Sequence, residues 1–364
     1  MIILRKVRVE LGSNSYDIYI GSGINDELKR FINGTKFSKK ALLVSDTNVE
    51  KIFGSEIKNI LESSGLEVKL VTIPAGETSK SLVEAEKIYT EAIEFGLDRK
   101  SAIFALGGGV VGDLTGFIAA TYSRGVPFVQ MPTSLLAQVD SSVGGKVAVN
   151  HKLGKNLIGA FYQPEAVFID LDMLKTLPKR EIASGLGEIV KYGIISDPEL
   201  FAYIENNSEK ILNLNPDVME HVIARSCEIK ADVVSKDEKE GGLRRILNFG
   251  HTMAHAIEEE TGYSKYTHGE AVAIGMIGAA HISESLGRID DATLERLQKL
   301  IDKLGMVSCA EDCDVDHMFK AIFRDKKTIN GKINWVLMDS IGKVSIVSNV
   351  PDEVVKSAFN YIIK

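Results

Sequence analysis

The chain has 364 residues, 45% of them hydrophobic and 26% charged, with a formal net charge of −7. That length and apolar content build a large core and predict two domains. The negative balance argues against a nucleic acid or an anionic membrane as partner, because neither is drawn by the overall field, and it leaves a small molecule gripped by local cations.

In chain order, residues 7–11 and 15–20 alternate polar and apolar side chains and read as a hairpin. Arg5 and Lys6 are not followed by an uninterrupted apolar run, so the start has no secretory pattern. Short strands at 41–45, 67–73, 102–106, 128–131 and 166–170, with helical stretches such as 80–95 between them, predict a mostly parallel sheet covered on both faces. Ligands of such sheets gather at the carboxyl ends of the strands, where Asp46 stands. Near Leu177-Pro178 the period becomes helical, through 198–209, 216–236, 247–261, 270–286 and 292–304, before a late hairpin at 333–338 and 342–347. The expectation is an α/β N-terminal domain, 1–177, with a Rossmann-like sheet, and a mainly α-helical C-terminal domain, 178–364, with the active site in the cleft between them. The apolar stretch 271–280 is too short to cross a bilayer and reads as a buried helix, with His281 structural at its end. Cys227, Cys309 and Cys313 cannot all pair, which suits reduced thiols in the cytoplasm. Cys309, Cys313 and His317 recur every four residues, but the acids among them read as a solvated surface.

Three motifs carry chemistry. The first is Gly107-Gly108-Gly109-Val110-Val111-Gly112-Asp113, between the strand ending at 106 and a helix expected over 114–120. Such a turn brings backbone N–H groups and the positive end of a helix dipole against a diphosphate, although the usual ribose-binding acid about 20 residues later is missing here. The second spans 132–146 and 154–161, where two lysines, Lys146 and Lys155, each follow a glycine, with Asp140 and Asn156 nearby. A single Gly-Lys reads as a solvated loop; two among small residues point to a polyanion site. The third places His251 and His255 four apart, with His268-Gly269-Glu270 beyond a loop and Glu188 upstream. Two imidazoles and one carboxylate suit a catalytic zinc, and the spacing alone leaves open which two histidines serve. Thr252 stands where a metalloprotease carries glutamate, against peptide hydrolysis.

Together these segments resemble the 3-dehydroquinate synthase family of sugar-phosphate cyclases, through Pro74-Ala75-Gly76-Glu77-Thr78-Ser79-Lys80 and 107–113, 132–146, 154–164, 174–178, 184–193, 247–258 and 268–276, all in family order. The resemblance implies conversion of 3-deoxy-D-arabino-heptulosonate 7-phosphate to 3-dehydroquinate and phosphate: transient oxidation at C5, elimination, re-reduction and aldol closure, with NAD regenerated in each cycle. Substrate phosphate can itself take the C6 proton, so the protein's task is positioning and charge compensation. The resemblance assigns Zn2+ or Co2+ to Glu188, His251 and His268 and leaves His255 beside the substrate. For the sugar phosphate it implies Asp140, Lys146, Asn156, Lys191, Lys230, Glu240, Arg244 and Asn248, with Arg124 and Lys326. For NAD it implies Asp46, Glu77, Lys80, Gly108, Gly109, Val110, Val111, Gly112, Asp113, Thr133, Ser134, Lys146, Lys155 and Thr176. It also implies a homodimer in which Arg124 reaches the neighbouring site. Taken singly, Arg244 and Lys191 read as exposed surface charges.

Ser134, Val147 and Ala254 depart from common family residues without removing a ligand, and the run Arg324-Asp325-Lys326-Lys327 leaves the lysine register open. Rival readings are a sister cyclase acting on another sugar phosphate, a metal-dependent polyol dehydrogenase that yields net NADH, and a non-catalytic NAD sensor. Lys146, Lys230, Arg244 and His255 together favour the carboxylate-bearing heptulosonate.

Overall fold

Alternation along one strand decides the architecture of the N-terminal part: Leu42 and Val44 enter one apolar cluster with helices over Ile88 and Ile118, while Ala41 and Leu43 enter another with helices over Leu28 and Ile57. A sheet apolar on both faces needs helices on both. The computed structural model describes residues 4–322 and 333–364. The chain divides into two compact units, one running up to Leu177 and including Lys230–Glu238, the other made of Pro178–Ile229 and Lys239 onward.

In the first unit the strands are β1 (Arg5–Val9), β2 (Tyr16–Gly21), β3 (Lys40–Asp46), β4 (Glu67–Ile73), β5 (Ala102–Gly107), β6 (Phe128–Pro132), β7 (Lys146–His151), β8 (Gly154–Phe161) and β9 (Ala166–Asp170). The helices are α1 (Asn25–Gly34), α2 (Ser55–Ser63), α3 (Leu82–Phe95) and α4 (Gly109–Thr121). Seven strands form one sheet in the order β1-β2-β9-β6-β5-β3-β4, antiparallel only between β1 and β2. Neighbours β3 and β5 send their chains in opposite directions along the sheet, to β4 and to β6, so a crevice opens at their carboxyl ends. β7 and β8 form a separate antiparallel hairpin whose Val147 and Val149 are buried while most of β8 is exposed. This hairpin was not expected, because one-sided burial next to glycines leaves little alternation in β8 to detect.

The second unit carries α5 (Lys179–Ser196), α6 (Pro198–Leu212), most of α7 (Pro216–Lys236), α8 (His251–Glu260), α9 (His268–Ser285), α10 (Asp291–Lys303), α11 (Val315–Ala321) and α12 (Asp352–Ile362). β10 (Asn334–Ser340) pairs with β11 (Lys343–Ser348) as the late hairpin. Helix α9 is buried along nearly its whole length, with α5, α8, α10 and α12 packed on it. Its start is a capping box, the Thr267 side chain accepting from the Glu270 N–H and the Glu270 carboxylate from the Thr267 N–H. Helix α5 has no clear apolar stripe in sequence, because it too is buried on most sides. Among the described residues no helix is long and apolar enough to cross a membrane.

Candidate functional site

In the first unit the glycine motif closes differently from the expectation. The helix begins at Gly109, not at 114, with Gly108 extended at its N-cap, so Val110 to Asp113 form its first turn rather than a loop. None of Gly107, Gly108, Gly109 and Gly112 has a left-handed backbone. What Gly112 answers is close approach, since a Cβ there would lie 2.9 Å from Gln130 Oε1. The early start leaves the N–H groups of Gly109, Val110 and Val111 without helical acceptors, at the positive end of a 13-residue helix.

Side chains expected around a dinucleotide gather at the neighbouring strand ends. Asp46 closes β3, its Oδ1 accepting from Asn48 N at 2.8 Å and Val49 N at 3.1 Å. Thr133, just past β6, donates its N–H to Gly107 O at 3.0 Å, and Ser134 Oγ lies where a Cβ on Gly108 would come within 3.4 Å. Lys80 is buried and paired with Asp113. Burial pushes the Asp113 carboxyl up, and the Lys80 ammonium pulls it back. Glu77 accepts from Asn150 Nδ2 at 2.7 Å, and Asn150 Oδ1 accepts from the Asn156 N–H at 3.0 Å. Asn150, for which the sequence reading had no role, thus joins the expected nucleotide side to Asn156, whose backbone is left-handed at φ 55°. Lys230 is buried and donates to both the carbonyl and Oδ1 of Asp140 at 2.7 Å. Lys146, Lys155 and Thr176 are exposed, Thr176 donating to Met173 O. Arg124 is exposed on a left-handed backbone, φ 70°.

The second unit brings Glu188, His251 and His268 together, one ligand atom of each lying within 4.8 Å of the others. Glycines make this meeting possible. A Cβ on Gly187 would fall 2.6 Å from Gly269 O, so α5 and α9 touch backbone to backbone beside Glu188 and His268. Gly250, at φ 79°, would place a Cβ 2.7 Å from Met276 Cγ, and it turns the chain so that α8 begins at His251 rather than at 247 as expected. Glu188 Oε1 is buried, accepts no hydrogen bond among the described residues, and faces His251 Nε2 at 3.6 Å and His268 Nε2 at 3.8 Å. An ionised oxygen buried without a donor is costly unless a cation joins it, and two nitrogens aimed at the same point complete a donor set that fits zinc or cobalt. His255 stands outside that set, its ring centroid 5.9 Å from that of His251 and 6.4 Å from that of His268.

Lys191 is buried, bonded to Glu188 Oε2 and over the Tyr192 ring. Arg244 is also buried, so neither is an exposed surface charge. Asn248 Nδ2 donates to Glu240 Oε1 at 2.9 Å, and Glu240 is left-handed at φ 61°. Such strained positions persist where the surroundings over-determine them, commonly at ligand sites. Two further groups touch the histidines: His251 Nδ1 meets Phe249 O and His268 Nδ1 meets Glu258 Oε1, each at 3.1 Å. Glu258 was visible in sequence as the residue two helical turns beyond His251, but no spacing rule names such a partner. Lys326 lies outside the described residues. Cys309, Cys313 and His317 form no metal-holding group among the described residues, and His281 packs on Tyr361 with ring centroids 4.3 Å apart and the planes tilted by 38°.

The backbone as a whole matches a solved 2-deoxy-scyllo-inosose synthase complexed with carbaglucose-6-phosphate, NAD+ and Co2+, with a TM-score of 0.89 and 26% identity over 99% of this chain and 100% of that one. Fold and donor set therefore place the chain in the class of sugar-phosphate cyclases. Within that class the chain belongs to the 3-dehydroquinate synthase family, whose N-terminal model matches residues 70–184 and whose C-terminal model matches 185–328. It is 51% identical to the 3-dehydroquinate synthase of Caldanaerobacter subterraneus, over 96% of this chain and 99% of that protein. It is 48% identical to that of Thermodesulfovibrio yellowstonii, over 98% and 100%.

Proposed function

We propose that this chain carries out its family's reaction, turning 3-deoxy-D-arabino-heptulosonate 7-phosphate into 3-dehydroquinate and inorganic phosphate. The observation that carries this reading is the buried Glu188 Oε1, without a hydrogen-bond donor, facing the two imidazole nitrogens. Glu188, His251 and His268 hold the divalent ion, and the N-terminus of α4, with Asp46, Glu77, Lys80, Thr133, Ser134, Lys146, Lys155 and Thr176, holds NAD. When bound, the ion supplies a Lewis acid for hydroxyl and carbonyl oxygens and NAD a reversible hydride acceptor.

The chain's own residues bind and orient. Lys146, Asn156, Lys191, Lys230, Glu240, Arg244 and Asn248 are the substrate-binding residues of this reading, with Lys230 steadied by Asp140. Arg244 offers a planar fork for carboxylate or phosphate, whereas the lysines act as point charges of looser geometry. Burial of Lys191, Lys230 and Arg244 strengthens their grip on an anion, because less water screens them. His255, one helical turn from His251, holds or moves a proton at a substrate oxygen. Arg124 serves the neighbouring subunit in a cytoplasmic homodimer, as family membership suggests.

A product assay tests the whole: heptulosonate phosphate with catalytic NAD and zinc is expected to release one phosphate per carbocycle, identified by mass and NMR, with no net NADH. Stoichiometric NADH from glycerol would favour a polyol dehydrogenase instead. Turnover of glucose 6-phosphate in place of the heptulosonate would favour a sister cyclase.

A further inference from the structure

Each of the three grouped side chains has a second polar atom turned away from the meeting point, and each of those outer atoms has a partner. Glu188 Oε2 is bonded to Lys191. His251 Nδ1 faces the carbonyl of Phe249, and His268 Nδ1 faces the carboxylate of Glu258, both at 3.1 Å. A carbonyl and a carboxylate accept hydrogen bonds, so each Nδ1 carries a proton, and in the neutral ring that ligates a metal each Nε2 carries the lone pair. Both lone pairs then point toward Glu188 Oε1. Of the three partners, Phe249 contributes only its backbone and Lys191 belongs to the expected substrate set. Glu258 is a side chain with no part in the binding described above. It is 8% exposed, near the end of α8, the helix that His251 begins. A carboxylate this buried is costly to keep unless it has a task or a partner.

We infer that Glu258 is a positioning residue for the metal centre: its carboxylate accepts the Nδ1–H of His268, fixes that ring's tautomer and orientation, and makes Nε2 a stronger donor to the ion. The inference rests on the reading that Glu188, His251 and His268 hold a divalent ion. His268 starts a helix of its own, and the Glu258 carboxylate reaches its ring from α8. Helices α8 and α9 already touch through Gly250 and Gly275, where a Cβ on Gly275 would lie 2.2 Å from Gly250 O. The carboxylate therefore reaches His268 from a rigid support, which is what orientation of a ligand requires.

The test compares wild type, Glu258→Gln and Glu258→Ala, each as full-length protein. Zinc affinity is measured by competition with a chromophoric chelator, and the visible spectrum is recorded after loading with Co2+. Removing such a partner typically weakens metal binding about 10–100-fold. Glu258→Ala is expected to fall in that range with an altered cobalt spectrum, and Glu258→Gln, whose amide oxygen still accepts from Nδ1, to fall between it and wild type. NAD affinity should be unchanged in both, since the nucleotide residues belong to the other unit. Wild-type zinc affinity and an unaltered cobalt spectrum in a folded Glu258→Ala protein would overturn the proposal. Should the alanine variant fail to fold, the isosteric glutamine variant decides alone: affinity and spectrum both at wild-type values overturn it, and a shift in both supports it. A wild-type protein that takes up no zinc or cobalt would overturn the reading of the three ligands as well.

Discussion

Gly269 lies so close to Ser184 that a methyl group on its α-carbon would fall 1.8 Å from the Ser184 carbonyl oxygen. No L-residue with a side chain fits there while α5 and α9 keep their places, and those helices carry Glu188 and His268. Gly269→Ala is therefore expected to push the helices apart, costing about 3 kcal/mol in chemical denaturation and weakening zinc binding together. Gly34→Ala is the control, because nothing stands within 4 Å of a Cβ at that position; it should change stability by less than about 1 kcal/mol. Equal stability of the two variants would show that the helices do not need this contact.

Replacing the grouped side chains should separate chemistry from stability. His251→Ala and His268→Ala are expected to lose bound metal and reduce turnover by roughly 10³-fold or more, the loss of several kcal/mol of Lewis-acid assistance. Glu188→Ala should do the same and also destabilise the fold by about 3–5 kcal/mol, because it leaves the buried Lys191 ammonium without its carboxylate. Paired activity and urea-denaturation measurements distinguish the two patterns.

Acid should act through Glu270. Burial by itself would raise that carboxyl, but the Arg180 guanidinium, bonded at 2.9 and 2.8 Å, and the Thr267 N–H more than offset it and hold it below the usual glutamate range. A folded-state value below the unfolded one means that the stabilisation is complete above the unfolded pKa of about 4.3 and is lost as pH falls through the folded value. Arg180 is half exposed, so the effect is expected near 1 kcal/mol. The gap in urea midpoint between wild type and Glu270→Gln should thus be widest at pH 6–7 and close as pH drops below about 4; a gap independent of pH would exclude the ion pair as its source.

Lys230→Met should raise KM for the heptulosonate phosphate. Its ammonium is fixed by two 2.7 Å bonds to Asp140, so it meets an anion preorganised. Loss of a charge-assisted bond is expected to lower kcat/KM about 10–100-fold, with NAD affinity retained. Isothermal titration with NAD and steady-state kinetics check the two halves of this expectation.

Much of the fold was legible from local pattern. The parallel strands announced themselves because period-two alternation and short apolar runs are local, and helices such as Pro216–Lys236 because one face repeats every turn. Helix α5 and the β7–β8 hairpin were not, for opposite reasons: the first is buried on most sides and so shows no single apolar stripe, and β8 of the second is mostly exposed. The start of α4 was misplaced because glycine has poor helix propensity, and only packing, of Gly109 against Ser141 and of Gly112 against Gln130, shows why glycine stands in the helix there.

The amino-acid order by itself determined the chemistry on offer: a glycine-led helix start, paired lysines, a carboxylate and three histidines, in the succession shared by one family. Spacing alone left open which histidines meet, because four residues put His251 and His255 on one helical face and say nothing of a residue beyond a loop; only the family resemblance singled out His251 and His268. The tertiary structure shows how they meet: His268 comes beside His251 and Glu188 while His255 stays aside. The physical reason is that the meeting point is set by where helix backbones touch, at Gly187 with Gly269 and at Gly250 with Gly275, and such contacts between distant segments leave no periodic trace in the sequence.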